Sequence, residues 1–404
     1  MNIIIANAPI NNANRGCVAL SLSTIFLIAG ILSERKIKYK FYLPDSGYSQ
    51  QGPYTCYISN KNIEYYTCNY PIAFSLKGLF RLLVDYKSIK KNFSIFKSAD
   101  YIMDIGQGDS FSDIYGKQRF ESIDKIHRIA RLFSKPCCLL SQTIGPFKNQ
   151  VIKKHAIRSL EKSDLVLVRD KQSYDYVVEN ALKQRNVHEC IDVAFFMPYE
   201  RKIFSDKYIH VGLNISSLLW HGGYTRNNQF GLRVNYQKLI RSIIDYFLSL
   251  NNVKLHLIPH VVGAERHDIE NDYAVSYDLF AEYDHENLVM APLFLDPILA
   301  KNYIAGMAFF TGARMHATIA AFSSGVPVYP MAYSRKFNGL FEDTLAYEYM
   351  GDMLHLDDTE MLDGVITAYK QRKSLESLIA KKLATVVAER KKMLIINLMN
   401  FLQV

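Results

Sequence analysis

Apolar runs of strand length alternate with stretches of helical length along this chain, and that alternation constrains its fold more than any other feature. Residues 3–6, 38–43, 99–104, 136–142 and 165–168 read as strands. Helical stretches are expected around residues 18–32, near 123–133 and near 151–163. Strand and helix taking turns in this way predict a parallel sheet covered on both faces. After Asp192-Val193-Ala194-Phe195-Phe196-Met197-Pro198 and a charged linker over residues 200–207, a second set begins. It comprises a strand at 208–214, a helix at 236–250, a strand at 253–259, and strands at 305–310 and 326–331. A chain of 404 residues exceeds one ordinary core. Two α/β domains, 1–200 and 201–375, are therefore expected, with a terminal helical stretch, 376–404, packing across the junction. Residues 48–71, rich in Tyr, Gln, Asn and Gly, are expected to form an irregular excursion over a ligand cleft.

Composition narrows the function. With 49% hydrophobic and 22% charged residues the chain is a folded protein rather than a disordered one. A net charge of +9 favours an anionic partner. The basic clusters Lys87-Ser88-Ile89-Lys90-Lys91 and Arg390-Lys391-Lys392 read as solvated helix faces, and no nucleic-acid module is recognisable, so nucleic acid is not expected as a partner. Six cysteines lack C-x-x-C spacing and the histidines are scattered, so neither a disulfide framework nor a metal site is expected. The uncharged stretch 16–33 follows a strand and a polar loop, without the short basic leader of a signal peptide. It reads as a buried first helix, and the protein is expected in the cytoplasm.

The most informative segment runs from Thr311 to Val328. Residues 305–310 read as a buried strand, Thr311-Gly312 as its turn, and residues 317–323 as a helix of small residues ended by Gly325. Arg314 and His316 would then stand at the helix mouth, where unpaired N–H groups and the positive end of the dipole attract a phosphate or carboxylate. His316 could add a proton donor. Taken alone, an Arg-x-His triplet is more often an arginine paired with a structural acid and a histidine packed on its helix. The loop Tyr333-Ser334-Arg335-Lys336 brings two further cations to the same end of the sheet, where ligands of open α/β folds bind. Elsewhere, Asp104-Ile105-Gly106-Gln107-Gly108-Asp109 follows a strand; its glycines would admit a ligand to the backbone, and Asp109 and Asp113 could accept hydroxyl protons, or the loop could be a glycine turn with a helix cap. Arg169-Asp170 reads most simply as an internal ion pair at a helix start.

In order along the chain, Asn14-Arg15-Gly16, Gly106-Gln107-Gly108-Asp109-Ser110, Ser141-Gln142-Thr143-Ile144-Gly145-Pro146, Val168-Arg169-Asp170, Asp192-Val193-Ala194-Phe195, Val211-Gly212-Leu213-Asn214, Ile258-Pro259-His260, Arg314-Met315-His316-Ala317 and Tyr333-Ser334-Arg335-Lys336 resemble the polysaccharide pyruvyl transferase family. The resemblance implies two Rossmann-like domains facing a cleft, a GT-B-like fold. It also implies transfer of the carboxyvinyl group of phosphoenolpyruvate to two hydroxyls of one sugar, giving a cyclic ketal in a capsule, exopolysaccharide or lipid-linked precursor. Phosphoenolpyruvate would be a co-substrate and no cofactor is implied. The partners would be phosphoenolpyruvate and a glycan or lipid-linked oligosaccharide, with peripheral contact at the cytoplasmic membrane face.

The resemblance implies that Arg314 and His316 bind phosphoenolpyruvate, with Arg169 as the second arginine; from the chemistry, the catalytic residues are expected to be His316, Arg314 and Asp109. The substrate-binding set is Arg169, Lys336, Met315, Gly312, Asn14, Gly106, Gly108, Asp113, Gln142, Asn214 and His260. The chain departs from the family where Cys17 follows Gly16 in place of Asp, and where Gln107 stands for a glycine; both lie on the presumed acceptor side. Two other readings remain open: a nucleotide-sugar glycosyltransferase of the same architecture, and a glycan-binding relative without catalysis.

Overall fold

The structure is a computed structural model and describes residues 1–44, 51–59, 61–71 and 86–404. Its first sheet contains β1 (Asn2–Ala6), β2 (Lys40–Pro44), β3 (Gln51–Ile58), β4 (Lys61–Cys68), β5 (Tyr101–Asp104), β6 (Cys137–Gln142), β7 (Leu165–Val168) and β8 (Val187–Glu189), in the order β3-β4-β2-β1-β5-β6-β7-β8. All neighbours pair in parallel except β3 with β4. Ile3, Ile4 and Ile5 are fully enclosed, as are Val166, Leu167 and Val168. Burying such a side chain stabilises the fold by about 1.5–3 kcal/mol, which explains why these strands show no polar alternation.

The second sheet is parallel throughout: β9 (Ile209–Asn214), β10 (Val253–Leu257), β11 (Leu288–Met290), β12 (Phe309–Gly312), β13 (Val328–Ala332) and β14 (Gly351–Asp352), ordered β11-β10-β9-β12-β13-β14. The α/β class expected from the sequence, with two Rossmann-like sheets, is therefore present.

Two elements differ from the sequence reading. Residues 51–58 and 61–68 are not irregular: they form an antiparallel hairpin, extending the sheet through β4. Tyr, Thr and Ile supply the β-propensity, and Ile63 and Tyr65 turn inward while Lys61, Asn62 and Glu64 stay exposed. Residues 48–50 and 60 lie outside the described segments. The strand expected at 305–310 begins later, at Phe309, because Asp296 caps a helix, Pro297–Ala305, that takes in its first residue. Thr311 and Gly312 accordingly belong to the strand and not to a turn.

The chain separates into two compact units, one of Met1–Ile10, Leu20–Phe196 and Glu389–Val404, the other of Asn11–Ala19 and Met197–Ala388. These differ from the expected bounds at both termini, for identifiable reasons. Asn14 pairs with Val261 as a lone antiparallel bridge, the Arg15 amide donates to the His260 carbonyl (3.2 Å), and the Val262 amide donates to the Ala13 carbonyl (3.0 Å). In the last helix Arg390 donates to the Glu189 carboxylate (2.9 Å), and the Tyr101 hydroxyl donates to the Leu402 carbonyl (3.1 Å). Helix Arg15–Glu34 is long and apolar enough to cross a membrane, yet 78% of its most apolar window is buried within the protein, as a first core helix should be.

Candidate active site

In the second unit, β9 and β12 lie side by side with Gly312 opposite Asn214. A Cβ on Gly312 would stand 2.6 Å from that of Asn214, so glycine is what allows the two strand ends to meet. The Asn214 side chain then braces the next turn: its Oδ1 accepts from the Arg314 amide (3.0 Å), and its Nδ2 donates to the Ile258 carbonyl (3.0 Å). With both amide atoms engaged, Asn214 shapes the site.

Arg314 caps the helix Met315–Ser323, which starts two residues earlier than the sequence suggested and has no side-chain acceptor at its N-terminus. The helix start carries the buried Met315 and half-buried His316, and the Ala317 and Thr318 amides close onto the Arg314 carbonyl (3.0 and 3.1 Å). The guanidinium itself is not open. Its Nε donates to both Asp272 oxygens (3.2 and 3.1 Å), Nη2 to Asp272 Oδ1 (2.8 Å), and Nη1 to Glu270 Oε2 (3.3 Å). The pairing of this arginine with structural acid, weighed above as the commoner case, is what the molecule contains. Burial by itself would lower the Arg314 pKa, but the charge and hydrogen bonds of Asp272 outweigh it, with Tyr333 and Glu270 adding, so the net shift is upward.

The two acids are unequal. Asp272 is fully buried and also accepts from the amides of Ser217 (2.9 Å) and Val261 (3.0 Å). The Glu270 side chain is 31% exposed and meets the guanidinium only at Nη1, while its backbone carbonyl accepts from Nη2 (3.4 Å). The other carboxylate oxygen accepts from the Tyr224 hydroxyl. An incoming anion could replace Glu270, whereas Asp272 is built into the floor.

His260 lies in the same corner, with both ring nitrogens buried and lacking a hydrogen-bond partner among the described residues. Burial first, then the neighbouring His316, Arg314 and Arg15, pushes this imidazole down to about 3, so it is neutral near pH 7. Gly16 completes the corner: a Cβ there would lie 2.5 Å from His316 Nδ1, and the Gly16 amide donates to Asn14 Oδ1 (2.9 Å). Lys336 does not lie on a loop as the sequence suggested but in a short helix, Arg335–Phe337, that continues into Asn338–Thr344, and its Nζ is 5.3 Å from the centre of the Tyr333 ring.

The other residues singled out in the sequence belong to the first unit. Gly106, Gln107 and Gly108 all have positive φ (55°, 51° and 89°). Gln107 is thus in a conformation that favours glycine, which is the physical sense of the departure noted there; Arg119 donates to its side chain and to Ser110 Oγ (3.1 Å). Gly106 is further required because a Cβ would overlap Gln142 Oε1, and Gln142, fully buried, has both amide atoms without a partner among the described residues. Asp109 accepts from the Tyr115 hydroxyl (3.2 Å). Asp113 accepts from the Lys148 and Asn149 amides (both 2.7 Å) and ties down a loop. Arg169 is buried and pairs with Asp192 (2.7 Å), not with Asp170, which instead caps the helix Lys171–Asn180. The sequence reading missed Asp272, Glu270 and the contact between Gly16 and His316. Asn271-Asp272 at a helix start was the one available signal, and it looks like an ordinary cap.

The family model for polysaccharide pyruvyl transferase matches residues 45–335. No curated protein sequence matches significantly. Among solved structures the chain is similar to sucrose-phosphate synthase from Thermosynechococcus elongatus, at 10% identity and a TM-score of 0.58, covering 100% of this chain and 98% of that one. A putative UDP-N-acetylglucosamine 2-epimerase from Listeria monocytogenes is 10% identical with a TM-score of 0.57, over 94% and 90% of the two chains. The UDP-GlcNAc 2-epimerase from Neisseria meningitidis, bound to UDP-GlcNAc, is 8% identical with a TM-score of 0.54, over 99% and 100%. At such identities the likeness concerns the fold alone.

Proposed function

Because the chain belongs to the polysaccharide pyruvyl transferase family, we propose that it transfers the carboxyvinyl group of phosphoenolpyruvate to two hydroxyls of a sugar in a surface polysaccharide or its lipid-linked precursor. The observation that carries this reading is the corner of Arg314, His316 and His260: a buried cation with one exchangeable acidic partner, an open helix start, and an imidazole whose polar atoms await a partner. Phosphoenolpyruvate offers a phosphate and a carboxylate to this set. One of them replaces Glu270 on Arg314 and the other takes the helix amides, with Lys336 as a further cation. His316 delivers a proton to the methylene carbon, making C2 electrophilic. A sugar hydroxyl adds to C2 and gives up its proton, the phosphate leaves with the C–O bonding electrons, and a second hydroxyl closes the ketal, losing its proton in turn. Acceptor binding is assigned to Asp109, which follows the Gly106–Gly108 turn of the first unit. The reaction takes place at the cytoplasmic side, where phosphoenolpyruvate is available, on a soluble glycan or at the membrane face, and uses no cofactor.

Calorimetric titration of the full chain with phosphoenolpyruvate, beside a panel of sugar nucleotides, tests this reading. Saturable binding of phosphoenolpyruvate and none of the nucleotides is the expected result; the reverse pattern would transfer the assignment to a nucleotide-sugar glycosyltransferase. In the same titration Glu270→Gln should bind phosphoenolpyruvate about fivefold more tightly, since removing a partly exposed competing carboxylate is worth about 1 kcal/mol. Weaker binding in that variant would mean that Glu270 helps to hold the site together and is not displaced by the ligand.

A further inference from the structure

At the opposite end of the second sheet, roughly 16 Å from Arg314 by the length of β9, the amino ends of β9, β12 and β13 enclose a cavity of about 420 Å³. Arg201, Arg372 and Lys373 line it against one carboxylate, Glu376. Among the described residues none of these three cations has a carboxylate within ion-pairing distance; Arg201 donates to the Ser324 carbonyl (3.3 Å) and Arg372 to the Tyr369 carbonyl (3.0 Å), each leaving guanidinium donors to spare. We propose that this cavity is a second anion site, distinct from the Arg314 corner, that takes a small phosphorylated ligand.

Three features argue for a built site rather than a chance gathering of charge. Arg372 and Lys373 occupy the first turn of helix Arg372–Lys382, whose N-terminus no side chain caps, one residue after helix Asp358–Lys370 ends, so both are carried on helical backbone rather than on a free loop. An anion seated there would meet the uncapped helix start and both cations together. The wall is also rigid. His210 Nε2 donates to the Ser205 carbonyl (3.0 Å), so its Nδ1 must accept from His256 Nε2 (2.8 Å), and His256 Nδ1 accepts from the Tyr303 hydroxyl (2.7 Å). Every member of that chain is satisfied in one tautomer, and the His210 ring is held against Phe204 with centroids 4.7 Å apart. Finally, the cavity has room by construction: Gly325, with φ 81°, has nothing within 4 Å of where a Cβ would point, while Gly306 lets the 202–204 segment close the other side. A ring or sugar carrying phosphate would stack on the Phe204 and His210 wall and place its phosphate among Arg201, Arg372 and Lys373.

The test uses the full chain and two probes that share the phosphate, inorganic pyrophosphate for a soluble ligand and phosphatidylcholine vesicles doped with phosphatidic acid for a lipid headgroup. Binding of one or other probe is expected, weakened about tenfold or more in Arg372→Gln/Lys373→Gln and unchanged in Lys238→Gln, an exposed cation outside both sites. Which probe binds identifies the source. Crystals soaked in tungstate provide a readout that does not depend on the variant folding, with an anomalous peak expected between Arg201 and Arg372. Undiminished binding of both probes by the double variant, or a cavity empty at saturating tungstate, overturns the proposal; neither result bears on phosphoenolpyruvate binding at Arg314.

Discussion

His316→Gln is expected to lower pyruvyl transfer by about 10²- to 10⁴-fold, the usual contribution of a positioned acid, while phosphoenolpyruvate affinity changes little. Glutamine keeps a hydrogen-bond donor of similar reach, so ligand contacts survive, but it has no proton to give to carbon. Gly16→Ala offers an independent route to the same result. The added methyl group would stand 2.5 Å from His316 Nδ1 and 2.9 Å from its Cγ, and a ring so confined must swing away from its present place. Turnover should fall in both variants with melting temperature and phosphoenolpyruvate binding preserved, measured by release of inorganic phosphate and by calorimetry. Normal turnover in folded His316→Gln would remove this histidine from the chemistry; a selective loss of phosphoenolpyruvate binding would instead make it a ligand for the anion.

How much of this was legible in the sequence depends on the range of the interaction. The parallel sheets were, because β1 and β7 are continuous apolar runs and burial on both faces requires nothing else. Boundaries set by caps were less so. Asp296-Pro297 starts a helix that ends at Ala305, and an apolar run overlapping that end cannot announce which part is strand. The residues at the mouth of helix Met315–Ser323 could be read because Arg314 and His316 are local to one turn. Their partners could not. Asp272 is 42 positions from Arg314 in sequence, and the Gly16 contact depends on residues 11–19 packing with the second unit. A glycine at the start of a helix looks like a liability until the imidazole against it is seen. Gln107 is an intermediate case: its family pattern of glycines was recognisable, but only the backbone, with φ of 51°, explains why glycine is favoured there.

Asp272→Asn is expected to have the largest effect on stability. Its carboxylate accepts from Arg314 on one side and from the amides of Ser217 and Val261 on the other. An asparagine cannot satisfy both sides, because its amide group presents a donor to one of two sets of donors. Removing one partner of a buried ion pair costs about 3–5 kcal/mol, since the other charge stays buried, which for a unit of this size lowers Tm by roughly 10 °C. Glu270 cannot compensate: its carboxylate touches only Nη1, at 3.3 Å, and its carbonyl accepts from Nη2 only at 3.4 Å. The loss should reach function as well. Asp272 fixes the guanidinium and, through Val261, the segment carrying His260 and its bridge to Asn14, so phosphoenolpyruvate binding should weaken even at temperatures where the variant is folded. A Tm near that of the wild type, together with normal binding, would show that Arg314 is held by its helix and by Asn214 alone, and that the acid beneath it is dispensable.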